Sequence, residues 1–534
     1  MKFIATSHLL FFSLAGAVSG APFYGTPQTA FDPGGTLGGT TIVNNGLVGV
    51  GRIGGSILDS FGETMGGSSG LFINNWSYNS GSGEYAGTFN ILPDRGYNAG
   101  TTFSNYAARL HNAPFTFTPY TGANPVAQTQ ISTSYGATTK FTYQDGTTTK
   151  FTTGLLPTAA TNTLFGNLVG TTTAANGPGG AQESLLSFDA EAVHLLADGS
   201  GYVSDEYGTY IARFNPSKLI TNIIQLPAAA RPTISGNPSF GQGITAGRRD
   251  NQGLEGLTVS PDGTRLMVLM QSALVQDSAA ANQTRLNTRL FTYDISTPVL
   301  IEAPALVGEY VVQLPTFDIG GADGAANRTA SQSEIVAVSN TQFMMLPRDG
   351  NGLGTNSLQP HVVKSIELVD FAGATNIAGT ARDFAGGQVS PLGVLDSAII
   401  PAQSTQIINI IANTDLAKFG LNTNDLNAGF QPGPPDANTI AEKWEGMALQ
   451  PNLATADPND FYLFVSNDND FQTSNVQMLN AAGVIPVNGP NAQPQPGIDN
   501  DVMFLAYSIT IIPEPSSALL VLIGSLGLIV RRRR

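Results

Sequence analysis

The chain has 534 residues, with 24 Lys plus Arg against 39 Asp plus Glu, 61 Gly, 4 His and no Cys. The missing cysteine excludes a disulfide framework, a thiolate nucleophile and any cysteine-held metal, while a net charge of −15 excludes the basic face that nucleic acid requires. A hydrophobic fraction of 41% can bury a core, and the Gly-, Thr- and Asn-rich remainder points to short strands and tight turns, an all-β class.

Residues 1–20 carry Lys2, an apolar run from Leu9 to Val18, and small residues at Ala17, Ser19 and Gly20. That three-part order predicts a secretory signal peptide. Residues 21–46 read as a linker: Gly34-Gly35 and Gly38-Gly39 lack the Lys-Ser/Thr of a phosphate loop. Residues 47–510 read as one domain.

Within it a unit recurs: a Glu, a small or apolar residue, an alternating strand, a turn, then a second strand that ends in polar residues. The clearest copy is Glu255-Gly256-Leu257-Thr258-Val259-Ser260, the turn Pro261-Asp262-Gly263, and Arg265 to Met270. Pro fixes φ there and Gly accepts a positive φ. Other copies start at Glu191, Glu334 and Glu445, and end at Asp205-Glu206, Arg348-Asp349 and Asn467-Asp468. A first copy without Glu runs from Ser69 through Ile73 to Pro93-Asp94-Arg95-Gly96. Further strands are expected at Thr209–Phe214, Arg289–Ile295, Val362–Phe371 and Val502–Ile511. Residues 121–180, rich in Thr and Gly, read as a long insertion.

A four-stranded unit at irregular spacing predicts a single β-propeller. Five blades are visible and six or seven are plausible, since the gap after Glu334 leaves room for another near Thr405–Leu416.

At the far end, Ile512-Pro513-Glu514-Pro515-Ser516 precedes an apolar stretch, Ala518–Val530, and the cluster Arg531–Arg534. Residues 511–534 thus resemble the PEP-CTERM sorting tail of Gram-negative bacteria. The resemblance implies an exosortase as processing partner, and a product secreted or displayed at the cell surface or outer membrane. The apolar helix of the tail would be the chain's only contact with the membrane, its arginines held on the cytoplasmic side.

The ordered set Gly66-Gly67-Ser68-Ser69-Gly70-Leu71, Leu92-Pro93-Asp94-Arg95-Gly96-Tyr97, Asp189-Ala190-Glu191, Val203-Ser204-Asp205-Glu206-Tyr207-Gly208 and Glu255-Gly256-Leu257 resembles the phytase-like domain family, described as having esterase-like activity of phytase. More distantly, the Glu-Gly openings look like those of calcium-binding gluconolactonase-type propellers. The first resemblance implies a hydrolase of phosphoesters, phytate-like in kind.

The geometry can be argued from the repeat as well. In a hairpin, the start of the first strand and the end of the second share one edge. In a propeller the first strands line the central channel, so Glu191, Glu255, Glu334 and Glu445 should ring one mouth. Asp94, Arg95, Asp205, Glu206, Arg348 and Asp468 should approach it from the second strands. Converging carboxylates need a cation, a basic partner or raised pKa values. Ca²⁺ is the expected cofactor because it accepts many oxygen ligands in irregular geometry. Its expected ligands are Glu191, Glu255, Glu334, Glu445, Asp94, Asp205 and Glu206. Arg95 and Arg348 are expected to bind the substrate's phosphate or carboxylate, with Glu255 and Glu191 as the catalytic groups that deprotonate a cation-held water.

Other readings stand beside this one. Each Glu can instead accept backbone N–H groups of the neighbouring blade and fix the closure. The whole can serve as a non-catalytic surface or matrix propeller for adhesion or ligand capture, or as a lactonase acting on a sugar-derived ligand. Asn467-Asp468-Asn469-Asp470 looks like a calcium loop but lacks the spacing of an EF-hand. Gly67-Ser68-Ser69-Gly70 is not a nucleophile elbow, and His194 reads as a packed strand residue.

Overall fold

Each predicted repeat unit opens an antiparallel sheet in the computed structural model, which describes residues 21–97, 104–355, 359–424, 434–485 and 492–513. The predicted signal peptide, 1–20, and the tail from residue 514 onward lie outside the described residues. Among the described residues no helix is long and apolar enough to cross a membrane.

The first sheet runs Gly70–Asn79, Glu84–Leu92 and Arg109–Phe117, with Ile131–Thr133 and Ala137–Lys140 sharing its outer edge. The second is Ala190–Leu195, Gly201–Asp205, Tyr210–Phe214 and Leu219–Gln225, extended by Thr142–Asp145 and Thr148–Phe151. The third is Leu254–Val259, Arg265–Met270, Asn287–Asp294 and Ala305–Gln313. The fourth is Ser331–Ala337, Gln342–Arg348, Ser365–Asp370 and Gln403–Asn409. The fifth joins the chain's two ends: Lys443–Pro451, Asp460–Asp468 and Val502–Ile512 continue into Thr40–Ile53 and Gly34–Leu37.

The first strands of neighbouring sheets touch in order, and that of the fifth returns to that of the first, so the sheets form a closed ring. Asp198-Gly199 and Asp262-Gly263 make the turns expected of them, with φ of 83° and 72° at the glycines. Because sheets face sheets, most strands are buried on both sides, and each neighbouring pair encloses its own apolar cluster. Between the fifth and first sheets, Phe89 stacks on Phe115 at 3.7 Å and on Phe504 at 4.4 Å. Truncating such a ring costs about 3–5 kcal/mol.

Two expectations change. The stretch near Thr405–Leu416 is no further unit: Gln403–Asn409 is the outer strand of the fourth sheet and a short helix, Asn413–Lys418, follows. An outer strand alternates as an inner one does, which is why the pattern misled. Residues 21–46 are more than a linker, since Thr40–Ile53 closes the ring and Gly38-Gly39 turn the chain into it. The 121–180 insertion is rich in strands, including the small sheet Ala159–Leu164, Asn167–Ala175 and Gln182–Leu186, because threonine favours extended chain.

Candidate functional site

Each predicted glutamate sits at an irregularity in its strand. Register slips between Ala190 and Val193, Leu254 and Gly256, Gln332 and Ile335, and Trp444 and Gly446, so Glu191, Glu255, Glu334 and Glu445 each occupy a β-bulge. A bulge re-aims the side chain that a regular pleat would send to one sheet face. Where glycine follows, at Gly256 and Gly446, it lets the inner strands close together, whereas Ala192 and Ile335 hold that place after Glu191 and Glu334. A Cβ on Gly256 would lie 3.1 Å from Ile335 N, and one on Gly446 would lie 2.8 Å from Ser68 Oγ and 2.9 Å from Leu71 Cβ.

The second strands end at the same edge. Ala190 pairs with Asp205, Ser331 with Arg348, Lys443 with Asp468 and Gly70 with Leu92, just before Asp94 and Arg95. Gly66-Gly67 make room for this edge: a Cβ on Gly67 would fall 2.1 Å from Asp468 Oδ1. Ser68 receives a hydrogen bond from Ser466 Oγ at 2.7 Å.

Two carboxyl triads result, each with one oxygen per residue within 4.8 Å of the others: Asp189, Glu191 and Glu206, and Asp94, Asp468 and Asp470. Arg95 donates to Asp189 and, at 3.4 Å, to Glu206, and it also donates to Asn251. Arg348 donates to Glu445 and, at 3.1 Å, to Ser333. Lys443 donates to Asp470 at 2.6 Å and to Asp468 at 3.4 Å. Glu255 Oε1 accepts from Gln271, whereas its buried Oε2 has no partner among the described residues.

Carboxyls outnumber these cations, and their proton affinities record it. Burial, then Glu255 and Asp189, push Glu191 well above the usual carboxylate range; burial, then Glu445, do the same to Glu255. Burial and Asp189 raise Asp94 to about 7 and Glu206 to about 8. Asp468 is also held high by burial, while at Asp470 the Lys443 ammonium outweighs burial and holds the pKa low. A hard divalent cation fits this set: the donors are all oxygen, two triads are near-closed, and Glu255 Oε2 is an orphaned buried acceptor.

Not every predicted ligand faces the others. Both oxygens of Asp205 accept backbone N–H groups, from Asp189 at 2.8 Å and Gly208 at 2.5 Å, so it shapes the loop beneath the site. Glu334 Oε1 accepts from Leu257 N of the third sheet at 3.1 Å and from Ile335 N at 2.9 Å, which is the inter-sheet clasp of the structural reading. Asp189, Lys443 and Asp470 escaped the sequence reading as site residues. Asp189 and Lys443 each lie two positions before a repeat glutamate, which was the signal available. Above the carboxyls lies a cleft of about 330 Å³ bounded by Arg95, Asn251, Lys443, Asp470 and Gln472.

Residues 66–471 match the model of the phytase-like family, described as esterase-like activity of phytase. An uncharacterized secreted protein of Arthroderma benhamiae is 32% identical over 471 residues, spanning 82% of this chain and 88% of its own. A luciferin-regenerating enzyme aligns over 86% of this chain and 94% of its own at 8% identity, with a TM-score of 0.26, a likeness too slight to carry an argument.

Proposed function

The chain belongs to the phytase-like family, and from that premise we propose that it is an exported, five-bladed propeller hydrolase that binds Ca²⁺ and acts on phosphoesters. The observation that carries the reading is the unbalanced carboxyl ring beneath a polar cleft that also presents Arg95 and Lys443. Buried charge without a partner is costly, so a surplus gathered on five separate strands calls for a cation.

Asp189, Glu191 and Glu206 would hold one ion, with Glu255 alongside, and Asp94, Asp468 and Asp470 offer a second set. When bound, the ion supplies positive charge and Lewis acidity at the floor of the cleft. Lys443 and Arg95 orient phosphate oxygens from the wall, the arginine through its planar fork. Glu255 holds or moves a proton at Oε2, the oxygen left without a partner among the described residues. Arg348 is turned to Glu445, so it positions that carboxyl rather than the substrate. Export fits the similarity to a secreted protein and the predicted segments 1–20 and 511–534, with an exosortase as the processing partner.

The test is a paired assay on the full chain with Ca²⁺ or with chelator. Calcium-dependent phosphate release from an aryl phosphate or phytate supports the reading. Opening of a sugar lactone without phosphate release would replace it by a lactonase. Neither activity would leave a surface protein that captures ligands.

A further inference from the structure

The five first strands enclose a lumen unlike the charged mouth. It holds a cavity of about 460 Å³ whose wall takes an apolar side chain from every strand: Ile73, Val193, Leu257, Ile335 and Met447. Pro261, in the turn that ends the first strand of the third sheet, also lines it, so the lumen reaches toward the face opposite the carboxyls. Ligand sites are commonly 300–1,000 Å³, mostly apolar, with a few placed polar groups.

His194 is one polar group of the wall, beside others such as Thr258, Glu334 and Gln450. His194 borders the cavity and packs edge-on against Phe72 with ring centroids 5.0 Å apart. Among the described residues its imidazole makes no hydrogen bond to the protein. Burial lowers its pKa to about 4, so at neutral pH it is uncharged, with one nitrogen able to donate and the other to accept. The carboxyl in the wall, Glu334, already takes two backbone N–H groups on Oε1. A charged ligand would lose its hydration here without a matching counter-charge, whereas an apolar body with one hydroxyl or carbonyl would lose little.

We propose that the lumen is a second binding site, separate in chemistry from the mouth, for a small uncharged amphipathic molecule whose single polar group meets His194. It does not depend on the hydrolase reading.

The probe is N-phenyl-1-naphthylamine titrated into the full chain, read by fluorescence. One saturable, blue-shifted site per chain is expected. Val336→Trp, which puts an indole into the lumen from a partly buried position, should abolish it while a cooperative melt is kept. Val338→Trp is the second blocking variant should the first fold poorly. In competition, 1-naphthol should displace the probe about tenfold more readily than naphthalene, and His194→Phe should remove that preference. No saturable site, or a site undiminished in both tryptophan variants, would overturn the proposal. A naphthol preference that survives in His194→Phe would overturn the role of the imidazole.

Discussion

Two fully buried glutamates in this molecule titrate in opposite directions. Glu63 accepts from Arg109 at 2.9 Å and from Lys140 at 2.7 Å, with Arg109 also 2.7 Å from Asp59 and stacked on Tyr106. Burial alone would raise its pKa, but Arg109 and Lys140 outweigh it and hold the carboxyl low. Glu255, equally buried, is pushed far up because its neighbours Glu445 and Glu206 add to the burial penalty. Two cations answer two carboxyls around Arg109. At the mouth the carboxyls exceed the cations. A balanced knot is finished by folding, whereas a surplus is finished by something from outside.

The largest effect should come from breaking the balanced region. Arg109→Met strands Asp59 without a counter-ion and leaves Glu63 to Lys140 alone, and should cost about 3–5 kcal/mol, read as a lowered denaturation midpoint. The same midpoint in the metal-free Glu255→Gln variant should hold or rise, because a repelling carboxyl is gone.

Next in size is calcium affinity. Glu255→Gln combined with Glu445→Gln should weaken Ca²⁺ binding on the order of a hundredfold, while Arg109→Met, where it folds, should leave it unchanged. An unaltered affinity in the double variant would remove the mouth from the argument.

A smaller effect is the pH dependence of melting. Asp94 and Glu206 have folded pKa values of about 7 and about 8, above their unfolded values, so the stability they lend is present at acid pH and is lost as pH rises toward 8. His111 and His361, both lowered to about 3 chiefly by burial, act the other way, and their contribution is lost as pH falls below about 6.5. In chelator the melting temperature should therefore fall from about pH 6.5, where the histidine contribution is complete, to pH 8. With Ca²⁺ that alkaline decline should vanish and the acid decline should remain. Identical alkaline limbs would contradict the contrast.

The smallest effect concerns the cleft. Lys443→Met should raise KM for a phosphoester about tenfold with kcat largely kept, since it removes an anchor from the wall. A fall in kcat alone would give Lys443 another task.

The sequence made the ring of glutamates legible because each marks the start of a strand, and hairpin geometry then sets the mouth. The bulges were not legible, although the Glu-Gly pairs carried their trace: glycine permits the close approach seen at Gly256 and Gly446. Nor could it separate Asp205 and Glu334, satisfied by backbone N–H groups, from Glu255, which is not. That distinction lies in which atoms meet, and residue type is silent on it. The Arg109 knot was invisible for a related reason, as Asp59, Glu63, Arg109 and Lys140 share no motif and meet only after the insertion folds back.

The most direct test of the surplus is a calorimetric Ca²⁺ titration of the metal-free chain at pH 7, with a thermal melt before and after chelation. The account predicts stoichiometric binding, release of protons from the mouth, and a large loss of stability on chelation. No binding, with an unchanged melt, would contradict it and leave the glutamates as clasps between the sheets.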